Sequence, residues 1–164
     1  MSADDTATSF AAWVVPQVAA YREHRAEAAR LARSLSADQL ARPAADAGWT
    51  VRDELVHIAS TDPDFVGMLR SLVAGGTPDT SAFADVDARN ARNLAAWAER
   101  SMAYVADALE RNGREIEALL ARLTDEDERR QPDGIPFPLG QIVMGYGMHA
   151  AYHVANARMA AEAR

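Results

Sequence analysis

The chain has 164 residues, of which 49% are apolar and 25% are charged, proportions typical of a folded globular protein. This length predicts a single domain over residues 1–164. The net charge of −7, with both signs interspersed, argues against nucleic acid as a partner, and the absence of cysteine excludes disulfides, thiolate ligands and a cysteine nucleophile.

The N-terminal residues carry no export signal. Segment 1–8, MSADDTAT, is acidic and polar, and no apolar run approaches the length that spans a bilayer. We therefore expect a cytoplasmic protein with no membrane partner. The basic residues are all arginine, a bias typical of GC-rich bacterial genomes.

Apolar spacing and capping residues predict the first two long helices. Apolar residues recur at three- and four-residue steps over 10–34, which indicates the buried face of a helix. Ser36 then caps a short turn, SADQLARP. Thr50 is the candidate N-cap of the second helix, with Asp53 as its capping-box partner, and this helix is predicted to end near Val73.

A long connection separates the second helix from the third. The stretch AGGTPDTSAFADVDAR exceeds the loops that join antiparallel neighbours, so it predicts a crossover. The third helix is expected from Asn90 to Leu123, with a bend at Gly113, and the fourth from Pro138 onward. Because no segment alternates as a strand does, the predicted class is all-α, a four-helix bundle.

A weak internal repeat relates the two halves of the chain. A shift of 88 residues places Ser36 on Thr124 and Val51 on Leu139, so each half consists of a helix, a capped turn and a second helix. Two such hairpins related by an approximate twofold axis would set the second and fourth helices antiparallel.

Two histidines lie four residues apart in MGYGMHAAYHVANAR. His149 and His153 share one face of the fourth helix, the spacing at which two imidazoles can bind one ion, although such pairs are more often solvated. His57 lies two turns into the second helix, and antiparallel packing would bring it beside the pair. A metal ligand and a buried histidine bonded to the backbone or to Asp53 both stay open for His57.

The neighbours of the pair suggest a ligand site. Tyr146 and Asn156 lie on the same stripe, so they are candidates for cofactor binding, either by orienting a ligand or by supporting the histidines, with helix packing as the alternative. His24 is better explained as a boundary residue of the first helix than as a fourth ligand. Room for an ion and a ligand is expected from four small residues of the fourth helix: Gly145, Gly147, Ala150 and Ala151.

Spacing excludes several other catalytic motifs. HAAYH has Ala150 where a zinc protease helix needs its general base. Glu54 and His57 form one E-x-x-H, whereas a di-iron bundle needs two. No serine with a nearby base and no glycine-rich phosphate loop stands out. The tryptophans, Trp49 among them, are expected to be packing aromatics.

The segment GWTVRDELVHIAS resembles the W-[ST]-V-x-[DE]-x-[LV]-x-H-[IL]-A pattern of the DinB-like metalloproteins, which include the N-terminal domain of mycothiol-dependent maleylpyruvate isomerases. The later H-x-x-x-H completes that pattern, and the resemblance covers nearly the whole chain. It implies an up-down-down-up four-helix bundle with a divalent ion, zinc, nickel or iron, held by His57, His149 and His153. Pro63 departs from the pattern and leaves the local helix geometry open.

The resemblance also implies a chemistry. Characterised relatives use mycothiol, bacillithiol or glutathione, so we expect a metal-dependent thiol S-transferase whose partners are a small-molecule thiol and an electrophile. A metal-dependent hydrolase and a non-catalytic, ligand-binding stress-response bundle are the alternatives. The isomerase has an additional C-terminal domain that these residues lack, so isomerisation is not expected. Relatives are often dimers, and the helix face of Trp97 is a candidate homodimer surface.

Overall fold

The computed structural model describes residues 9–45, 48–81 and 84–163, and these ranges contain helices and no β-strand. The all-α class predicted from the sequence is confirmed. Segment 1–8 lies outside the described residues. Within the described ranges, no helix combines the length and the apolar character needed to cross a membrane. The helices are α1 Val14–Ser34, α2 Ala37–Leu40, α3 Val51–Val73, α4 Val86–Ala96, α5 Met102–Leu120 and α6 Leu139–Glu162, with a 3-10 turn at Asp125–Arg129.

Four long helices, α1, α3, α5 and α6, form the bundle, and α1 and α3 each pack against both α5 and α6. Helices α1 and α5 are antiparallel, since Arg22 early in α1 pairs with Glu117 late in α5. Helices α3 and α5 are parallel, because Asn112 of α5 reaches Ala59 in the middle of α3 and the later Glu115 pairs with the later Arg70.

Helices α3 and α6 run in opposite directions. Glu54 near the start of α3 contacts His153 near the end of α6, and Asp62 further along α3 contacts Tyr146 earlier in α6. Taken with the other pairings, the four helices run up, down, down and up in chain order. Early positions of α3 therefore face late positions of α6.

Apolar burial matches the predicted helix faces. On α1, Val14, Val18 and Tyr21 are buried against one core cluster, and Ala28 and Leu31 against a second. Both clusters are completed by residues from α3, α5 and α6. Burial of these side chains removes apolar surface from water, the main favourable contribution to folding.

Helix α3 begins as predicted and continues through a proline. Thr50 and Asp53 form the capping box, with the Thr50 hydroxyl 2.7 Å from the Asp53 carboxylate. Pro63 lies inside the helix and has no N–H to donate to the Ala59 carbonyl. The Asn112 side-chain amide donates to that carbonyl instead, at 3.2 Å. A side chain of α5 thus replaces the missing helical hydrogen bond.

The predicted third helix is divided into two, which corrects the continuous helix expected from Asn90 to Leu123. It is interrupted between Ala96 and Met102, where the Arg52 guanidinium of α3 donates to the carbonyls of Trp97, Ala98 and Arg100 at 2.8–3.0 Å. Ser101 then caps α5. Arg52 satisfies backbone acceptors that a helix would otherwise pair internally.

Gly113, the predicted bend, lies inside α5 and makes room for a neighbour. A Cβ atom at this position would lie 2.8 Å from Cδ of Arg25 on α1. The glycine therefore permits the close approach of α1 and α5 around a buried arginine. The break in the predicted helix lies elsewhere, between Ala96 and Met102.

Candidate metal centre

The antiparallel pairing of α3 and α6 brings three histidines together. One ring nitrogen from each of His57, His149 and His153 lies within 4.8 Å of the others. Nε2 of His57 and Nε2 of His149 are 2.9 Å apart. The ring centroids of the three pairs are 4.4, 4.5 and 4.9 Å apart. This group of three is called the triad below.

The triad fits a divalent cation by its donor set. Imidazole nitrogens bind zinc at about 2.0–2.1 Å, which places two tetrahedral ligands about 3.3 Å apart. Nε2 of His57 and Nε2 of His149, 2.9 Å apart, are near this separation, and the ring nitrogens of all three residues lie within 4.8 Å of one another. Three imidazole nitrogens this close together are a suitable ligand set for one divalent ion.

A buried carboxylate fixes one of the three rings. Nδ1 of His153 donates to Oε2 of Glu54 at 2.5 Å, and Glu54 is fully buried. The opposite nitrogen of His153, Nε2, is therefore the one that can accept an ion. Asn156 donates to the other carboxylate oxygen of Glu54 at 3.4 Å. This carboxylate–histidine arrangement commonly accompanies metal-ligating histidines.

The environment of His57 keeps its imidazole neutral. Burial, followed in importance by His153, His149 and Arg89, lowers the pKa of His57 from 6.5 to about 2. Nδ1 of His57 is buried with no hydrogen-bond partner among the described residues. A neutral ring has a free lone pair, which is the form that binds metals.

Trp49 covers the triad from the loop before α3. Its ring centroid is 4.8 Å from that of His57 and 5.7 Å from that of His153. The loop is held by Trp49 O accepting from Ala44 N at 2.8 Å, and Gly48 supplies the positive φ of +77° that the turn needs. The indole thus shields two of the three imidazoles from water.

Beside the triad, Tyr146 connects α6 to a buried ion pair. Its hydroxyl donates to Asp62 at 2.7 Å, and Asp62 also pairs with Arg25 of α1. Its ring stacks on Phe65, with centroids 3.6 Å apart, and lies 5.8 Å from the ring of His149. Burial and the nearby Asp62 raise the pKa of Tyr146, so the phenol stays protonated at neutral pH.

The triad opens into a cleft of about 460 Å³ between α3, α4 and α6, called the triad cleft below. Its walls include the buried Arg89 of α4, together with Asp87, Asn90 and Tyr152. Clefts of this size are typical of small-molecule sites. The three imidazoles therefore face space that a small substrate can enter.

A comparison with known protein families finds a match over most of the chain. The family model described as the mycothiol maleylpyruvate isomerase N-terminal domain matches residues 21–158. The chain belongs to this family. The matched segment includes all three triad histidines, Glu54 and Trp49.

The fold of the chain has a counterpart among solved structures. The crystal structure of the mycothiol-dependent maleylpyruvate isomerase matches with a TM-score of 0.69 at 11% sequence identity. The match covers 88% of this chain and 60% of that chain, so the chain spans about three fifths of the length of the isomerase. At this identity the likeness shows the fold. No curated protein matches the chain.

The structure shows where three other residues considered in the sequence analysis lie. Asp53 does not contact His57 through a hydrogen bond, because its carboxylate is engaged by Thr50. His24 lies on α1 in a different cleft, beside Glu27 and Ala151. Trp97 is half-buried against the core and against Tyr104.

The expectation that four small residues leave room at the site is right for one of them. Gly145 is exposed, and a Cβ atom there would have no neighbour within 4 Å. Gly147 faces Tyr21 at 3.8 Å, and Ala150 belongs to the core. Ala151 lines the cleft of His24. These three support the packing of α6 on α1 and on the core instead.

The sequence did not reveal three residues of the site in this member of the family. Glu54 precedes His57 by one helical turn, a spacing that places both on one face of α3 and that could have suggested its role. Trp49 was expected only to pack. Arg89 gave no signal, because the sequence places it in the long connection, whereas the structure includes it in α4.

Proposed function

We propose that this chain is a divalent-metal-dependent enzyme that transfers a low-molecular-weight thiol to an electrophile, with His57, His149 and His153 as the metal ligands. The observation that carries the proposal is the convergence of three ring nitrogens, from two helices, within 4.8 Å of one another. A group of three imidazole nitrogens suits zinc, nickel or ferrous iron. Three protein ligands leave positions open, as in catalytic and not structural sites.

Family membership supports a thiol as cosubstrate. The family is named after a mycothiol-dependent isomerase domain, and the chain contains no cysteine of its own, so a reacting sulfur would come from a small molecule. When bound, a divalent ion supplies Lewis acidity that lowers the pKa of a thiol near it. In the transfer, the sulfur would form a bond to an electrophilic carbon while the bond from that carbon to its leaving group breaks. The thiol proton would go to the leaving group or, for an epoxide, to the oxygen of the opened ring.

Each supporting residue has a role in this proposal. Glu54 accepts a hydrogen bond from Nδ1 of His153, and this fixes the tautomer whose Nε2 is available to the metal. Asn156 steadies Glu54, and Tyr146 orients the α6 backbone through Asp62. Tyr146 and Asn156 therefore act by positioning and not by contact with a cofactor. Trp49 keeps water from the ring faces of His57 and His153.

Metal analysis of untagged protein tests the ligand set. We expect about one equivalent of a divalent ion in the wild-type protein and a large loss in His57→Ala and in His149→Ala. His24→Ala is the matched control, since His24 lies in another cleft, and it should retain the wild-type content. Equal metal content in all four proteins would exclude the triad as the site.

Activity assays then distinguish the enzyme from its alternatives. Metal-loaded protein is incubated with mycothiol and a panel of haloalkane, epoxide and activated-ester electrophiles, and conjugates are measured by mass spectrometry. Conjugation that depends on the ion and on His149 supports the transferase. Thiol-independent consumption of the ester would support a hydrolase, and tight ligand binding without turnover would support a binding protein. A cytoplasmic location and a homodimer stay predictions from the sequence.

A further inference from the structure

Three clefts follow one another along α6. The triad cleft shares Val86, Arg89 and His149 with a second cleft of about 340 Å³, here called the middle cleft. The middle cleft in turn shares Met68, Ile142 and Gly145 with a third cleft of about 630 Å³, here called the apolar cleft. The shared lining residues place the three clefts next to one another in a row, and this row is called the groove below.

The groove changes from polar to apolar along its length. The triad end is lined by imidazoles together with Asp87, Arg89 and Asn90. The far end is walled by Ile135, Pro136 and other apolar groups, with Thr80 and Gln141 as its polar side chains. A molecule that fits both ends has a polar head and an apolar tail.

Exposed apolar side chains are concentrated at this groove. Eight large apolar side chains of the described residues are strongly exposed, and four of them line one of the three clefts. These four are Val86, Phe137, Met144 and Tyr152. Exposed apolar surface that borders a polar site is characteristic of ligand-binding grooves.

The length of the groove sets the size of its occupant. From the proposed metal ligand His149 to its far end at Gln141, the groove follows eight residues of α6, or about 12 Å at the rise of an α-helix. Gly145 lies half-way between them and leaves the passage open, since no atom other than those of its chain neighbours and of its own helix backbone lies within 4 Å of the position its Cβ would take. Any side chain added at Gly145 would project into the passage.

We propose that these clefts form one substrate groove and that the electrophile is an amphiphile, with its reactive polar end at the triad and an extended acyl or alkyl chain in the apolar cleft. This inference rests on the proposed function of the triad. The continuity of the groove with the triad cleft, its gradient of polarity and the opening at Gly145 support this occupant. A second copy of the chain is the competing occupant of the apolar cleft.

A series of alkyl hydroxamates, from acetohydroxamate to decanohydroxamate, tests the groove on the metal-loaded protein. The hydroxamate group binds divalent ions and the tail measures the groove. Affinity for the wild-type protein should rise by up to about fourfold for each buried methylene until the groove is filled. In Gly145→Leu the affinity should stop rising once the tail is long enough to reach position 145, which is about one helical turn, roughly 6 Å, from His149. Gly67→Leu, at an exposed glycine of α3 outside the groove, is the matched control.

The outcomes separate the groove from the metal site. Binding of acetohydroxamate with no gain from longer chains would leave the proposed function standing and overturn the groove. The same chain-length dependence in Gly145→Leu as in the wild-type protein would also overturn it. A protein that takes up no metal and binds no member of the series would count against the proposed function instead.

A second measurement tests the groove without the ion. Protein labelled with ¹³C at methionine methyl groups is titrated with 1-octanol, which has no metal-binding group. The resonances of Met68 and Met144, which line the apolar cleft, should shift, while that of Met159, outside the groove, should not. Equal shifts of all three methionine resonances would overturn the proposal. It would also be overturned if sedimentation shows self-association and octanol leaves the resonances of Met68 and Met144 unchanged, because a second copy would then cover the apolar cleft.

Discussion

Glu54 and His153 form a buried hydrogen bond of 2.5 Å that joins the start of α3 to the end of α6. The bond holds the Nδ1 edge of the imidazole, so Nε2 is the nitrogen available to the triad. The bond also gives the buried Glu54 carboxylate a hydrogen-bond partner. Such a partner offsets part of the free energy that burial of a polar group costs. One contact therefore contributes to the stability of the helix pair and to the geometry of the site.

Glu54→Gln is expected to weaken metal binding by about 10- to 100-fold, since partners of ligating histidines contribute by about that amount. The amide keeps the shape of the side chain, but its neutral oxygen is a weaker acceptor for the hydrogen bond from Nδ1 of His153. Competition with a chromophoric chelator measures the affinity. Glu117→Gln, at a partly exposed carboxylate paired with Arg22, is the control and should bind metal as the wild-type protein does. Unchanged affinity in Glu54→Gln would show that Glu54 has no part in the site.

Local patterns made much of this site predictable. The capping box of Thr50 and Asp53 fixed the start of α3, and the i, i+4 spacing of His149 and His153 placed both on one face of α6. With the two helices antiparallel, the meeting of His57 with that pair followed. These features depend on spacing within a helix, which a sequence displays directly.

The parts that were missed depend on contacts between distant segments. The break between α4 and α5 is stabilised by Arg52, 45 or more residues earlier in the chain, and nothing local to Trp97 shows this. The predicted third helix was therefore wrong as a continuous element. Gly113 was interpreted as a bend, because the sequence around it does not show that Arg25 of another helix packs against it.

The side chain of Asn112 is expected to replace the hydrogen bond that Pro63 cannot donate, and its removal tests this. Asn112→Ala leaves the Ala59 carbonyl without its donor, so we expect a loss of about 1–3 kcal/mol in the free energy of unfolding, measured by urea denaturation. In a Pro63→Ala background the new N–H can donate to the same carbonyl. The cost of Asn112→Ala should then be smaller.

The double-mutant cycle has its own control. Asn93→Ala removes a long contact of 3.4 Å to the Ser60 carbonyl, which the ordinary backbone N–H of Asp64 can also reach. Its small effect should therefore be the same in the wild-type and the Pro63→Ala backgrounds. An Asn112→Ala cost that is equal in these two backgrounds would contradict the compensation.

The ion pair of Arg25 and Asp62 is buried, and breaking it should be costly. Arg25→Met leaves Asp62 without its cation, and we expect a loss of about 3–5 kcal/mol. Arg22→Met, on the exposed face of the same helix, should change the free energy of unfolding little. The double variant Arg25→Met, Asp62→Asn should be more stable than Arg25→Met alone. Similar effects of the Arg25 and Arg22 substitutions in denaturation experiments would refute this.

The cost of Arg25→Met should also depend on pH. Burial raises the pKa of Asp62 above its ordinary value of 3.8, while Arg25 and Tyr146 oppose the rise. Without Arg25 the folded-state pKa rises further, so the folded variant retains its proton after the unfolded chain has lost it. The stability of the variant relative to the wild-type protein should therefore fall as the pH increases from the Asp62 pKa of the folded wild-type protein, already above 3.8, to the higher Asp62 pKa of the folded variant, and urea denaturation at several pH values measures this. A difference that is constant with pH would contradict it.

Gly113→Ala and Gly67→Ala should change stability in opposite directions, although both replace a helical glycine by alanine. At Gly67, on the exposed face of α3, no neighbour lies within 4 Å, so alanine should stabilise the protein by about 0.5–1 kcal/mol through its higher helix propensity. At Gly113 the methyl group would lie 2.8 Å from Cδ of Arg25, which Asp62 and the ring of Tyr21 hold in place. Overpacking of this kind costs about 1–3 kcal/mol, more than the helix propensity returns. Thermal denaturation of both variants measures the two changes, and a stabilised Gly113→Ala would mean that Arg25 moves freely within the core.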